Sequence, residues 1–114
     1  MAATITSQKL QERYQAYIST LNAQDWDLLS TFLAQAVNHN GKILDHEGYR
    51  NLIPAETHFV VADLLVDSNV LQVASRLGIV VDGKQLTEHV FYRFNEDLKI
   101  ERVWSIVQDG EATG

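Results

Sequence analysis

The residues of this sequence best suited to acid–base chemistry are two histidines, His39 and His89. An imidazole has an ordinary pKa near 6.5, so at neutral pH either ring can accept a proton or release one. His39 comes just before the turn dipeptide Asn40-Gly41, and His89 lies within a predicted strand. The sequence therefore predicts proton transfer as the chemistry of an active site, although His39 could also be a partly exposed loop residue.

A further titratable group, Glu88, competes with His89 because the two are neighbours in one strand. Side chains in a strand alternate between two faces, so residues 87, 89, 91 and 93 share one face and residues 88, 90, 92 and 94 share the other. Whichever face lines a pocket, one titratable group enters it, and the sequence does not decide which. His89 is preferred as the better general base at neutral pH, and a protonated or hydrogen-bonded Glu88 is the alternative.

Arg76 and Arg102 are the charged residues that could stabilise negative charge on a substrate. Arg76 stands among apolar residues in the middle of a predicted strand, where a charge needs a partner or water. It could hold an enolate or carboxylate oxygen, or it could form an ion pair with Glu88 across the hairpin. Arg102 offers the same alternatives.

Tyr14, Asn38 and Trp104 are candidate substrate-binding residues. The Tyr14 hydroxyl or the Asn38 amide could donate a hydrogen bond to a developing oxyanion. Trp104 could form an aromatic lining with Tyr14, Tyr17 and Phe59 that suits a flat substrate. Ordinary core packing is the alternative for each aromatic residue.

Composition excludes several other chemistries. The chain has no cysteine, which rules out disulfides, thiolate metal sites and a cysteine nucleophile. His46 and His58, with Asp45 and Glu47 nearby, match no zinc motif, and there is no glycine-rich phosphate loop. A net charge of −6 with nine Lys and Arg residues lacks the basic footprint of a nucleic-acid binder. We therefore expect no metal, no cofactor and no nucleic-acid partner.

Length and hydropathy predict a single domain over residues 1–114, with frayed ends at about 1–5 and 110–114. The chain has 114 residues, of which 46% are hydrophobic, as in ordinary globular domains. The N-terminal residues lack the features of a signal peptide, and no segment reaches the ~20 apolar residues of a membrane span. We expect a soluble cytoplasmic protein with no membrane partner.

Two kinds of element would have to position these residues. Apolar residues at helical spacing (10, 14, 17, 18 and 21) predict a first helix capped by Thr6 or Ser7. Asp25 should cap a second helix that ends near Gln35, and Asp45 a third, shorter helix through Tyr49 and Leu52 that Pro54 ends. Four long antiparallel strands then follow, at about 58–66, 70–81, 86–94 and 100–107, with Asp82-Gly83 as the clearest hairpin dipeptide. This order predicts an α+β fold with helices gathered on one face of a curved sheet.

Several of these strands carry apolar residues on both faces. In the segment 70–81, residues 70, 74, 78 and 80 form one apolar face and residues 71, 73, 77, 79 and 81 the other. The helices can cover only one face, so the sequence predicts a homodimer in which the second subunit covers the other.

The order and spacing of several motifs resemble those of the SnoaL-like family, within the nuclear-transport-factor-like superfamily. The segment LNAQDWD at 21–27 is similar to the family's N-x-x-D-x-D junction between the first two helices. Further similar segments are VNHNG at 37–41, EGYR at 47–50, VASRL at 73–77, FYRF at 91–94 and KIERVW at 99–104, with Asp109 closing the strand.

This resemblance implies a cone of helices and curved sheet around a pocket, dimerisation, and acid–base chemistry without metal or cofactor. It also implies that His39 occupies a position where the family often places a polar pocket residue. The chain is shorter than most cyclases between the third helix and His58. Near the late-strand position of the polyketide cyclases' catalytic aspartate it has Ser105, so their aldol-type mechanism is not inherited.

Taken together, the sequence predicts a cofactor-independent isomerase or cyclase acting on a small hydrophobic secondary metabolite. His39, His89 and Arg76 are the predicted catalytic residues, and the predicted substrate-binding residues are Tyr14, Asn38, Glu88, Arg102 and Trp104. The alternatives are a dehydratase of the same fold and a non-catalytic binding or assembly module.

Overall fold

The computed structural model describes residues 4–109, and within them three helices pack against one six-stranded sheet. The helices are α1 (Ser7–Ala23), α2 (Trp26–Ser30) and α3 (His46–Arg50). The strands are β1 (Leu33–His39), β2 (Lys42–Leu44), β3 (His58–Asp67), β4 (Gln72–Val81), β5 (Lys84–Phe94) and β6 (Ile100–Asp109). Their order in the sheet is β2-β1-β6-β5-β4-β3, with β1 and β6 parallel and every other pair antiparallel. The predicted α+β class is confirmed.

The helix starts follow from side-chain caps. The Thr6 hydroxyl accepts a hydrogen bond from the Lys9 amide at 3.1 Å, and carboxylates of Asp25 and Asp45 accept from amides in the first turns of α2 and α3. The predicted apolar face of α1 is confirmed, since all of its members are buried: Leu10, Tyr14, Tyr17, Ile18 and Leu21. This face forms one wall of the core.

The second predicted helix is shorter than expected, because the residues after Ser30 join the sheet. Residues 33–39 form β1 rather than helix, and β1 pairs with β6, which lies more than sixty residues further along the chain. Leu33 and Val37 are both buried, and a spacing of four satisfies helical and strand periodicity alike. The Ile100 amide donates to the Phe32 carbonyl at 2.7 Å, so pairing with a distant segment decides between helix and strand here. The prediction of helix up to Gln35 is therefore wrong.

Other predicted boundaries also change, at α3, β4, β5 and β6. The helix α3 ends at Arg50, so Leu52 lies beyond it. The strand predicted at 70–81 is β4, and it begins at Gln72 rather than Val70, because Leu71 has a φ of 54° and belongs to the turn. The predicted tail at 110–114 lies outside the described residues.

The strands β3 to β6 align their side chains in rows across the sheet. One inner row is Leu64, Ser75, Val90 and Ser105, and the neighbouring row includes Leu77, Glu88 and Val107. This inner face packs on the helices, and Leu77 and Val73 are fully buried there. The opposite, outer face carries an apolar row that no part of the described chain covers: Leu65, Ala74, Phe91 and Trp104.

A bidentate asparagine joins α1 to the sheet. The Asn22 side-chain amide donates to the Phe59 carbonyl at 2.8 Å and its oxygen accepts from the Phe59 amide at 2.7 Å. One side chain thereby fixes the end of α1 against β3, where sheet and helix meet over the core. Within residues 4–109, no helix has both the length and the apolar character needed to cross a membrane.

Candidate active site

The main cavity lies between the inner face of the sheet and the helices, with a volume of about 330 Å³. Most of its wall is apolar: Leu21, Leu52, Ile53, Pro54, Phe59, Ile79, Val81, Leu86, Val103 and Val107. Its polar groups are few: Tyr17, His39, Tyr49, Thr57, Glu88, Tyr92 and Ser105. Leu52, Pro54 and Val107 are exposed lining residues, which places the mouth of the cavity between the segment after α3 and the end of β6. Such a pocket binds an apolar body and directs a small number of polar groups at it.

Glu88 is the carboxyl group of this cavity. It lies on the inner face of β5, and the Ser105 hydroxyl on β6 donates a hydrogen bond to its Oε2. Burial raises the pKa of Glu88 above its ordinary value, and the hydrogen bond from Ser105 opposes that rise. A carboxyl group with a raised pKa in an apolar site is suited to exchange protons near neutral pH.

His39 lines the same cavity from the end of β1. It is half-buried, and its ring meets the ring of Tyr49 edge-on, with centroids 6.3 Å apart. Burial lowers its pKa below the ordinary value, so the imidazole is neutral at pH 7. A neutral imidazole can donate from one nitrogen and accept at the other. Because β6 lies between β1 and β5, Ser105 stands between His39 and Glu88.

A pair of buried tyrosines adds two hydroxyl groups to the polar part of the cavity. The hydroxyl oxygens of Tyr17 and Tyr49 lie 2.6 Å apart, which is a hydrogen bond between them. Burial raises the pKa of both hydroxyls, so both keep their protons at neutral pH. One proton bridges the pair and the other stays available, so together they can donate one hydrogen bond to a ligand.

The alternatives for β5 are decided in favour of Glu88. His89 is exposed on the outer face, directly opposite Arg76 on β4, and neither lines the cavity. The Arg76 guanidinium forms an ion pair with Asp63 of β3, not with Glu88. His89 and Arg76 are therefore placed on the far side of the sheet from His39. Alternation along β5 made the choice binary, and packing of the helices on the Glu88 face settles it.

The predicted substrate-binding residues other than Glu88 also lie outside the cavity. Tyr14 is fully buried behind the lining, and burial raises its pKa to about 12. The Asn38 oxygen accepts from the Gly41 amide at 2.8 Å, so it closes the turn between β1 and β2. Arg102 and Trp104 are on the outer face, where the guanidinium lies 5.9 Å from the Trp104 ring centroid.

The residues around α3 do not gather into a metal site. A His46 ring nitrogen lies 2.9 Å from the Ala34 carbonyl oxygen, while Asp45 caps the helix. Among the described residues, no three His, Asp or Glu side chains lie close enough together to hold a metal ion.

Sequence reasoning missed three polar lining residues, Tyr49, Thr57 and Tyr92, and gave Ser105 no role of its own. Tyr49 is the buried residue of α3, but a single aromatic residue in a five-residue helix carries no chemical signal. The Thr57 hydroxyl donates to the Pro54 carbonyl at 2.6 Å, so it shapes the loop before β3. The alternation of side chains along β6 could have indicated Ser105. It lies on the same face of the strand as Val103 and Val107, and on the neighbouring strand β5 this face of the sheet carries Glu88.

The raised pKa of Glu88 predicts a stability cost that grows with pH. The folded protein holds this proton to a higher pH than the unfolded chain does, so stability falls as pH rises above the unfolded pKa. Glu88→Gln removes that loss and keeps an acceptor for Ser105. We expect the variant to melt at a higher temperature than wild type at pH 8, and the difference to shrink at pH 4. The lowered pKa of His39 affects both proteins equally and cancels.

Differential scanning calorimetry at the two pH values measures this difference. Glu12→Gln, on the exposed face of α1, is the matched control and should behave as wild type at both. A Glu88→Gln melting temperature at or below wild type at pH 8 would contradict the predicted cost.

Comparison with known proteins gives structural matches of high coverage. A SnoaL-like polyketide cyclase from Agrobacterium tumefaciens is 31% identical, and the match covers 87% of this chain and 91% of that one, with a TM-score of 0.76. A ketosteroid isomerase-like protein from Kribbella flavida is 18% identical over 98% of this chain and 87% of that one, with a TM-score of 0.80. The epoxide hydrolase/cyclase-like enzyme SalBIII, of pyran ring formation in salinomycin, is 14% identical over 88% of this chain and 91% of that one, with a TM-score of 0.73. The last two likenesses establish the fold alone.

No protein-family model matches the chain, and no curated protein does. The similarity to known proteins therefore rests on the structural matches.

Proposed function

Because the chain belongs to the SnoaL-like family of the nuclear-transport-factor-2-like superfamily, we propose that it is a cofactor-independent isomerase or cyclase acting on a small hydrophobic secondary metabolite. The observation that carries the proposal is Glu88, a carboxyl group held by Ser105 inside an apolar cavity that His39 also lines. The structural neighbours with isomerase and cyclase names agree with this chemistry.

In the proposed reaction, the Glu88 carboxylate removes a proton from a carbon next to a substrate carbonyl. The C–H bond breaks, its electron pair forms the enolate, and the proton joins a Glu88 oxygen. Glu88 then returns this proton to a different carbon of the enolate, which gives the isomer and restores the carboxylate. The proton and the electron pair balance between the substrate and Glu88, so no further reactant is needed. In D₂O, a Glu88 carboxyl group that exchanges its proton with solvent before returning it delivers deuterium to the carbon.

The enolate oxygen requires donors, and two groups in the described lining can supply them. The Tyr17–Tyr49 pair has one free hydroxyl proton, and neutral His39 has one N–H. Donors already oriented in an apolar, water-poor site stabilise a developing negative charge more than they would in water. A cyclase would use the same groups, with the enolate carbon attacking a second carbonyl of the same substrate.

The lining also favours an uncharged substrate. Among residues 4–109 no Lys or Arg lines the cavity, so a substrate carboxylate or phosphate would enter an apolar space beside Glu88 without a cation from these residues to pair with. A volume of about 330 Å³ is at the small end of ligand pockets, which suits a molecule of one or two rings. We therefore propose a neutral cyclic carbonyl compound as the substrate class.

Exchange of α-protons tests the proposal without knowledge of the natural substrate. 1-Indanone in D₂O with the wild-type protein should lose its α-protons to deuterium faster than the buffer reaction, with saturation as the ketone concentration rises. Proton NMR measures the rate. Binding of 1-indanone in the cavity without faster exchange would instead support a binding module. Two further substrates separate the isomerase from a dehydratase. If the protein removed water from a β-hydroxy ketone but did not isomerise a β,γ-unsaturated ketone, the results would support a dehydratase.

We also propose that the protein is a homodimer through the outer face of the sheet. Two residues of the apolar row there, Leu65 and Phe91, are 75% and 57% exposed, and Trp104 of the same row is 47% exposed. Ile106 beside them is also exposed. A continuous apolar row across four strands is typical of an interface rather than of a free surface. A second copy of the chain offers the same row, related by a two-fold axis.

A further inference from the structure

The parallel pairing of β1 with β6 ends at His39, opposite Val103. There the chain turns away through Asn40 and Gly41 into β2. Asn40 has a φ of 52°, in the left-handed region that asparagine tolerates better than most residues. Its backbone amide still donates to the Val103 carbonyl, at 2.9 Å. The backbone of β1 thus stops pairing with β6 after Val103. The next β6 residue whose side chain lies on the inner face is Ser105.

The Asn40 side chain continues the pairing that its backbone has left. Its Nδ2 donates to the Ser105 carbonyl at 3.1 Å, and its Oδ1 accepts from the Ser105 amide at 2.8 Å. The side-chain amide therefore takes the place of one more strand residue. Both backbone polar groups of Ser105 on this side of β6 are satisfied by one side chain.

On the cavity face of the same residue, the Ser105 hydroxyl donates to Glu88. Ser105 is directly opposite Val90, so its hydroxyl reaches Glu88 diagonally across the β5–β6 pair. A diagonal contact needs a particular position of the β6 backbone. Asn40 is the group that holds this backbone from the other side.

We propose that Asn40 is a positioning residue for Glu88: its amide fixes the backbone of Ser105 so that the Ser105 hydroxyl is directed at the carboxyl group in the cavity. This inference concerns the site of the proposed function, but it can be tested on the free protein. It predicts that a change at the turn after β1 alters the titration of a carboxyl group two strands away.

The groups facing Glu88 permit a clean measurement. From α1, α3 and β5 it is faced by tyrosines (14, 17, 49 and 92), whose raised pKa values keep them neutral. From the β1 side, His39 is the charged candidate; burial lowers its pKa, and its own ring resonances report its titration separately from that of Glu88. The ¹³Cδ resonance of Glu88 reports on this carboxyl group alone.

The test is an NMR titration of Glu88 in wild type and three variants. Ser105→Ala removes a donor to the ionised carboxylate, so the pKa of Glu88 should rise by about one unit. Asn40→Gly keeps the positive φ but removes both side-chain hydrogen bonds, and it should raise the pKa in the same direction by a smaller amount. In the double variant, Asn40→Gly should add nothing to Ser105→Ala, because its effect passes through that hydroxyl.

Asn22→Ala is the matched control. Asn22 makes the same bidentate contact with a strand backbone, but at Phe59, which donates nothing to Glu88. It should lower stability and leave the pKa of Glu88 unchanged. An unchanged pKa in Asn40→Gly, or full additivity with Ser105→Ala, would overturn the proposal.

A reciprocal measurement covers the case in which Asn40→Gly does not fold. In wild type, the side-chain ¹⁵Nδ2 resonance of Asn40 should move with the titration of Glu88, and in Glu88→Gln it should not. An Asn40 resonance that ignores Glu88 in wild type would also overturn the proposal. Slow exchange of 1-indanone, with these couplings present, would count against the proposed function and leave the positioning role intact.

Discussion

Replacing Glu88 by glutamine should slow the exchange of 1-indanone α-protons by about 10²- to 10⁴-fold, the usual contribution of a positioned general base. Glutamine has nearly the same shape and still offers an oxygen to the Ser105 hydroxyl, so the cavity should keep its form and its ligand. What is lost is the group that accepts the proton. In wild type, the rate should rise with pH through the raised pKa of Glu88 and then level off.

Two further variants make the assignment specific. His39→Ala should reduce the rate by about 5- to 30-fold, since it removes one donor to the enolate rather than the base. Glu12→Gln, far from the cavity on the exposed face of α1, should exchange 1-indanone as wild type does. If Glu88→Gln kept its rate while His39→Ala lost it, the base would be His39 and the proposed roles would be exchanged.

Replacing Phe91 by aspartate should convert the proposed dimer into a monomer, with at least about 100-fold weaker association. Phe91 occupies the middle of the apolar row on the outer face, and a carboxylate there would be buried without a partner at the interface. The two-fold axis doubles the effect, because each interface contains the substitution twice. Sedimentation velocity at about 10 μM should give twice the chain mass of 12.9 kDa for wild type and the chain mass for the variant.

Leu28→Asp is the control for this substitution. Leu28 is an apolar residue with 46% exposure, close to that of Trp104, but it lies on α2 rather than on the sheet. This variant should remain dimeric. Wild type sedimenting as a monomer at 10 μM would contradict the predicted interface. If the Phe91→Asp variant were still a dimer, the interface would have to lie on another surface of the protein.

The sequence predicts the fold well where one periodicity dominates. The face of α1 and the strands from His58 onward follow from apolar spacing, and Thr6, Asp25 and Asp45 each cap the helix that follows. It fails at residues 33–39, where Leu33 and Val37 fit a helix and a strand equally. Only the pairing with β6, which local spacing does not encode, separates the two.

Periodicity also predicts part of the candidate site. Alternation limits the choice on β5 to Glu88 or His89, but the covering of one face by helices is a tertiary fact, and chemical preference for an imidazole pointed to the other face. His39 was found from the resemblance to the SnoaL-like family, which often places a polar pocket residue at this position. The contacts of Ser105 with Glu88 and with Asn40 span 17 and 65 residues of sequence, and nothing local to any of the three residues indicates them.

The position of β6 has a consequence for how the protein is made. Among the described residues it is the strand furthest along the sequence, yet it lies inside the sheet between β1 and β5. A ribosome that has released residues 1–99 has produced β1, β2 and the β3–β5 meander, with no strand to join them. Contacts of such long sequence separation form late and fold slowly. His39 and Glu88 therefore come to share one cavity only after β6 has been synthesised, and a nascent chain exposes the edges of both β1 and β5 until then.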